Sequence, residues 1–302
     1  MGFLFFKITY KSIWSSISWR AIILWPINQI ALFQTSLEDC FSNQYASMLL
    51  PYFLEKRKKN NMNRVLLLGS APNSILARKW DKKHFDRIVA INNAWQVRDD
   101  WNDLIYPNDL LTERLPTNLK QEQTFVDEKS FVPAQNKYGG FIYAGGTMAF
   151  TAAYWILDYH KPKQIAFMGC DMHYPKKGPT HFYGTGEPDP LRDDISLTSL
   201  EACAARFYIL ALRQGCESVN LSKLKSRLIF PRASETRSKI PSQYLKFDLG
   251  AVKAALELEQ ELGYFVLSGR YWKVASIIER KQMLELDKLW LSAVPQALTE
   301  HL

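Results

Sequence analysis

The chain alternates short apolar runs with longer segments of helical rhythm, and the alternation begins near residue 62. "RVLLLG" (64–69), "RIVAINN" (87–93), "KQIAFMGCD" (163–171) and "CESVNLS" (216–222) are each bounded by turn formers or polar residues and are too short to be helices. Between the second and third lies "GGTMAFTAAYWILDYH", a helix-length segment opened by Gly-Gly. Between the third and fourth lies "DDISLTSLEACAARFYILALRQG", with Asp193 or Asp194 to cap its start and Gly215 to end it. Near-continuous apolar strands separated by helices predict a mostly parallel sheet covered on both faces. The expected fold is α/β, a Rossmann-like domain with flanking helices over residues 62–239. From residue 240 to 302 the rhythm is helical throughout. "DLGAVKAALELEQELG" and "WKVASIIERKQMLELDKLWLSAVPQAL" repeat apolar residues at three- and four-residue spacing, which predicts a helical C-terminal region. These helices are expected to pack on the domain, wall a cleft or receive a partner.

Residues 1–61 follow neither pattern. "SIWSSISWRAIILWPINQIALF" is apolar and Trp-rich, but Arg20 and Pro26 interrupt it, and the uncharged run from Ala21 to Leu37 is marginal for a membrane span. No small-residue cleavage site suggests a signal peptide. Three expectations stand: an interfacial anchor that touches a membrane peripherally, a helical appendage, or non-native upstream translation ending at Met62.

Composition narrows the picture. An apolar content of 47% over 302 residues buries a large core, and the nine Trp, fourteen Tyr and seventeen Phe fit either that core or stacking on a sugar or base. The formal charge is +8, and residues 1–61 supply half of it, with seven Lys/Arg against three Asp/Glu. No basic stripe accompanies a nucleic-acid motif, so nucleic acid is not an expected partner; anionic nucleotides and anionic membrane surfaces are compatible. Four cysteines without a C-x-x-C pair read as small buried hydrophobes of a reducing compartment, and no His/Cys set has metal-ligand spacing.

The chemistry concentrates at the strand ends. "GSAPNS" follows the first strand: Gly69 allows close backbone approach, and Asn73 with its serines can grip phosphate, ribose or sugar. It is neither G-x-G-x-x-G nor a Walker loop. Asn92 and Asn93 end the second strand and offer carboxamide donors and acceptors. Gly146 and Thr147 open a helix, a ready cradle for an anion. "MGCDMHYP" ends another strand with Asp171, His173 and Tyr174. Four such ends along one edge of an open α/β sheet predict a single ligand cleft. The polar loop "KKGPTHFYGTGEPDPLRDD" (176–194) is long for filler, and in it His181 is a candidate general base flanked by the phenols of Tyr174 and Tyr183.

Taken together, "LLLGSAPNS", "IVAINNAW", "GGTMAFTAAYWILDYHKPKQIAFMGCDMHY" and "SLTSLEACAARF" resemble the bacterial sialyltransferases of glycosyltransferase family 42 and related bacterial proteins. The likeness covers about residues 63–232. It implies metal-independent, inverting transfer of sialic acid or a related sugar from a CMP-activated donor to a glycan or glycolipid acceptor, with no further cofactor. A cytoplasmic location is expected, and the basic N-terminus could bring the chain to the inner membrane peripherally. By the resemblance, Asn73, Asn92 or Asn93, and Gly146 with Thr147 would hold CMP, with Gly69 and Asp171 beside them. Tyr174 and Tyr183 would stabilise the leaving phosphate, and His181 would act as base. One departure is plain. The family places its base just before the helix, where this chain reads "DPLRDD", so Asp189, Asp193 and Asp194 stay alternatives to His181. Two rival readings remain: a nucleotide-binding protein of this fold without transfer activity, and a pterin-type pyrophosphokinase using Asp171, Glu187 and Asp189.

Overall fold

A computed structural model describes residues 62–185, 193–236 and 239–300. The expectations attached to residues 1–61, to Glu187 and to Asp189 lie outside the described residues. The described residues form one compact unit.

Six strands form one sheet: β1 (Arg64–Leu68), β2 (Arg87–Ile91), β3 (Asp103–Ile105), β4 (Thr124–Val126), β5 (Gln164–Met168) and β6 (Glu217–Asn220). Every pairing is parallel, in the order β4-β3-β2-β1-β5-β6. The fold is therefore Rossmann-like α/β, as the apolar runs predict. The pattern did not reveal β3 and β4, which are three residues each and too short to show a period. Leu68 pairs with Ala90 on one side and with Met168 on the other. The chain thus winds outward from β1 to β4, returns to the far side of β1 as β5, and reverses direction there. That reversal point is where open α/β sheets bind their ligands.

Both faces of the sheet are buried, and alternate residues of each strand go to opposite sides. Val65, Leu67, Val89, Ile165 and Phe167 join one core; Leu66, Leu68, Ile88, Ala166 and Met168 join the other. The coverings differ in kind. The first face carries α-helices: α1 (Glu128–Asn136), α2 (Phe141–Ala144), α3 (Met148–Tyr159) and α4 (Leu200–Arg213). The second is sealed by 3₁₀ segments at 72–79, 82–84 and 92–97, which contribute Ala77, Ala94 and Val97 to its core. The segment after β1 is therefore a 3₁₀ helix opened by Pro72 and not an α-helix.

Capping explains the helix starts. Thr147 Oγ1 accepts from the Phe150 amide at α3, and Ser199 Oγ accepts from the Ala202 amide at α4. The expected cap at Asp193 or Asp194 is corrected by this geometry. Asp194 caps the short 3₁₀ turn Ile195–Leu197, and α4 begins afterwards, at Leu200. Gly215 follows α4 with φ +74°, as a helix stop requires.

The C-terminal helices α5 (Leu249–Leu262) and α6 (Arg280–Ala293) pack on the helical face. Their attachment is polar at its centre. Arg206 of α4, only 2% exposed, makes a forked ion pair with Glu259 of α5 at 2.7 and 2.8 Å. It also donates to the Tyr154 hydroxyl and the Tyr138 carbonyl, while Trp290 of α6 donates to Glu259 at 2.9 Å. Removing one partner from such a buried pair costs about 3–5 kcal/mol, because the other charge is left without compensation.

Asp287 of α6 is a buried carboxylate in the same interface. Burial pushes its pKa up to about 6, the nearby Glu201 adds to the rise, and the 2.7 Å bond from Thr198 opposes it. An unfolded aspartate titrates near 3.9, so between about pH 4 and 6 the folded chain binds more protons, and stability falls as pH rises through that window. Asp287→Asn keeps an acceptor for Thr198 and removes the charge. The variant should be more stable than the parent by about 1–3 kcal/mol at pH 7.5 and equal to it near pH 4, read from urea midpoints.

Candidate functional site

At the reversal point, β1 and β5 end in glycines that face one another. A Cβ on Gly69 would lie 2.3 Å from the Gly169 carbonyl oxygen, and a Cβ on Gly169 would lie 2.6 Å from that of Gly69. Gly69 is thus required first for contact between the two strand ends. The Gly69 amide donates to Met168 O and the Ala71 amide to Gly169 O, which stitches the first loop onto β5.

The first loop then reaches across to β6. Asn73 Nδ2 donates to Ser222 Oγ at 2.6 Å, and Ser222 Oγ donates to Asp171 Oδ2 at 2.7 Å. This chain fixes the Asn73 amide. The single Ser222 proton goes to the carboxylate, so Asn73 must present its NH₂, and its oxygen points elsewhere. Asn73 Oδ1 is buried without a partner, as are Ser74 Oγ, Asn92 Oδ1 and Asp171 Oδ1. Buried polar atoms are nearly always satisfied, so these four at one sheet edge make it the candidate ligand site. Three of the four are acceptors only. They suit hydroxyl or amine donors and would repel a phosphate.

Asp171 is 2% exposed. Burial raises its pKa, against bonding from Ser222, nearby Ser226 and Asn220, and the charge of Arg232. Asn220 donates to Ser226 at 3.0 Å and Arg232 donates to the Ser222 carbonyl at 2.5 Å, so a polar shell braces the carboxylate from β6. Sequence reading missed this β6 contribution. The signal was present: Asn220 and Ser222 make "VNLS" a polar strand end of the same type as the others.

Among the described residues, three non-glycine residues have left-handed backbone, and two of them stand beside this edge: Asn92 (φ +50°) after β2 and Met172 (φ +50°) after Asp171. Such conformations persist where surrounding structure imposes them, and they favour functional sites. Asn93 is buried within the same 3₁₀ turn.

The predicted catalytic residues come together. His181 is 8% exposed and stacks on Tyr183 (centroids 4.9 Å, 18° between planes), with the Tyr174 ring 5.9 Å away and tilted by 35°. Thr180 Oγ1 lies 2.9 Å from His181 Nδ1. When Nδ1–H donates to that hydroxyl, Nε2 keeps its lone pair. Burial lowers the imidazole pKa, which favours the neutral, proton-accepting ring at pH 7. The segment is latched to the first loop by the Phe182 amide, which donates to the Ser70 carbonyl at 3.0 Å.

Gly146 and Thr147 form a separate group. Thr147 is buried and occupied as the α3 cap. The space over Gly146 is filled by Ser196 and Tyr271: the Gly146 amide donates to Ser196 Oγ at 3.1 Å, and a Cβ at 146 would meet the Tyr271 hydroxyl at 2.4 Å. The hydroxyls of Ser196 and Tyr271 donate to Asp194 at 2.7 and 2.6 Å. Asp194 thus holds the C-terminal segment over the Gly-Gly turn, and Asp193 pairs with Arg280 at 2.5 Å. Of the proposed bases among the described residues, His181 is the one that packs against both Tyr174 and Tyr183. A hollow of about 200 Å³ lined by Phe230, Arg232, Tyr244 and Leu298 touches this group only through Arg232 and contains none of the site residues expected from the sequence.

Among the described residues, no helix is long and apolar enough to cross a membrane. The thiols of Cys170, Cys203 and Cys216 are free and buried, and burial raises all three pKa values, away from thiolate chemistry. Comparison of the chain with known family models, with curated proteins and with solved structures gives no match.

Gly169 offers the sharpest test of this edge. Its φ of +72° and the 2.7 Å approach to Ser74 Cβ leave no room for a methyl group. Gly169→Ala should lower stability by about 1–3 kcal/mol, seen as a drop in Tm, and should part the first loop from β5.

Proposed function

We propose that the chain is a metal-independent, inverting glycosyltransferase that takes its sugar from a CMP-activated donor. The observation that carries this reading is the pairing of two halves at one sheet edge. Unpartnered acceptors on Asn73, Asn92 and Asp171 gather at this edge, and His181, stacked on Tyr183 with Tyr174 5.9 Å away, sits on a segment tied to the first loop through Ser70. Ribose hydroxyls and the exocyclic amine of cytosine are the donors that such acceptors need. A phosphate would suit the phenol side, where Tyr174 and Tyr183 carry hydroxyls.

In the reaction, an acceptor hydroxyl attacks the anomeric carbon as the bond to the CMP phosphate breaks. His181 Nε2 takes the hydroxyl proton, and the phenols stabilise the departing phosphate. A positioned base contributes roughly a hundred- to ten-thousand-fold. The nucleotide-binding reading without turnover shares the first half of this site and differs only in the second.

Isothermal titration separates these readings. CMP should bind without magnesium, and Asn73→Ala should weaken it by about tenfold or more. His181→Ala and Tyr174→Phe should keep CMP affinity within about threefold while slowing donor turnover by two or more orders of magnitude. ATP binding that requires magnesium, with no CMP binding, would overturn the proposal in favour of the pyrophosphokinase.

The pH profile gives an independent check. Because burial lowers the His181 pKa, the base form survives to more acidic pH. The acid limb of kcat/KM should therefore fall below the ordinary imidazole value of about 6.5 and vanish in His181→Ala. A limb above that value would assign the base to another group.

A further inference from the structure

The hollow of about 200 Å³ lies apart from the crevice, and the transfer reaction has no use for it. Three segments wall it. Leu228 and Phe230 come from the run after β6, Tyr244 from the 3₁₀ turn Ser242–Leu245, and Ala297 with Leu298 from the turn Gln296–Leu298. Its floor is built into the core: Leu228, Phe230 and Leu298 are at most 4% exposed. The Phe230 ring packs on Phe167 at 4.8 Å and stacks on Tyr208 at 5.8 Å, and the Tyr208 hydroxyl donates to the Tyr244 carbonyl at 2.6 Å. The wall at Tyr244 is thus tied to the residues beneath the floor, and the space is preformed. An apolar cavity of roughly 150 Å³ admits benzene, so this one has room for an apolar body of about six to eight carbons.

A fixed cation stands at its edge. Arg232 lines the hollow and is exposed to solvent. Two of its five N–H donors are engaged, by the Ser222 carbonyl at 2.5 Å and the Leu224 carbonyl at 3.0 Å. Among the described residues, no hydrogen bond takes the other three. Both acceptors belong to one loop, so the guanidinium is held in place while part of its fork stays open to a planar anion. The charge selects an anion and repels an amine. The apolar floor rejects inorganic phosphate and other anions without an apolar body, because they would leave Leu228, Phe230 and Leu298 uncovered.

We propose that this hollow binds a small aliphatic monocarboxylate, with its chain on Leu228, Phe230 and Leu298 and its carboxylate on Arg232. The site is a second one, so the proposal goes beyond the transferase reading and does not rest on it. Arg232 also holds the loop that carries Ser222, so the bound carboxylate and the brace of Asn73 and Asp171 share one side chain.

Isothermal titration of the full chain with octanoate, in the absence of nucleotide, tests the site. The parent should bind with a Kd of about 0.1–1 mM. Acetate lacks the chain and octan-1-ol lacks the charge, and each should bind at least about tenfold more weakly. Arg232→Gln should weaken octanoate by about tenfold or more and leave octan-1-ol within about twofold. Ala297→Trp fills the mouth from an exposed position and should abolish octanoate binding. Urea midpoints check that both variants fold; if Arg232→Gln does not, Ala297→Trp and the alcohol decide the matter. The proposal is overturned by a parent that shows no octanoate binding below about 10 mM, by octan-1-ol binding as tightly as octanoate, or by full octanoate affinity in Ala297→Trp. None of these measurements involves CMP. Their failure leaves the transferase reading untouched, and a chain that fails to bind CMP leaves the hollow and its ligand standing.

Discussion

The forked bond between Arg206 and Glu259 is the interaction on which the helical half of this protein rests. A guanidinium almost without solvent contact needs every one of its donors met, and here α3, α5 and the end of α1 all supply acceptors. Trp290 closes the arrangement by donating to the same carboxylate. Four helices and a turn are thus held in one register by a cation that cannot leave its place without large cost. The consequence reaches the C-terminal segment beyond α5. Tyr271 is placed over the Gly145–Gly146 turn only because α5 and α6 are anchored, and through Asp194 it orders the approach to α4.

The other half is organised by what is absent. Two glycines without side chains let the ends of β1 and β5 touch, and the loops that leave them diverge around the contact. Asn73, Asp171 and Ser222 come from three different strand ends and meet only because those strands are neighbours at the reversal point. Asn73 and Asp171 are each held in orientation by the bond to Ser222, and each keeps one buried oxygen without a partner.

Much of this was legible in the sequence, and the reasons differ from part to part. β1, β2 and β5 were clear because a strand buried on both faces must be apolar at successive positions. The α5 and α6 helices were clear because their apolar spacing matches a one-sided contact. β3 escaped notice: its charged first residue, Asp103, is buried against Arg87 and His160, and three residues carry no period. Burial alone would raise that carboxyl, yet bonds from Arg87, His160 and Thr124 bring it to about 2, a tertiary effect no local pattern encodes. The convergence of His181 with Tyr174 and Tyr183 was readable from proximity in the chain. The roles of Gly146 and Thr147 were not. Whether a small-residue turn greets a ligand or is filled by its own protein depends on Tyr271, more than a hundred residues away.

The latch between Phe182 and Ser70 has a further meaning. It is a single main-chain bond, and it joins the loop bearing Asn73 to the segment bearing His181. Under the transferase reading, a nucleoside that seats itself on Asn73 also settles the imidazole that the second substrate must find. Such mechanical linkage is the basis of a compulsory order of addition, with the activated sugar entering ahead of the molecule that receives it.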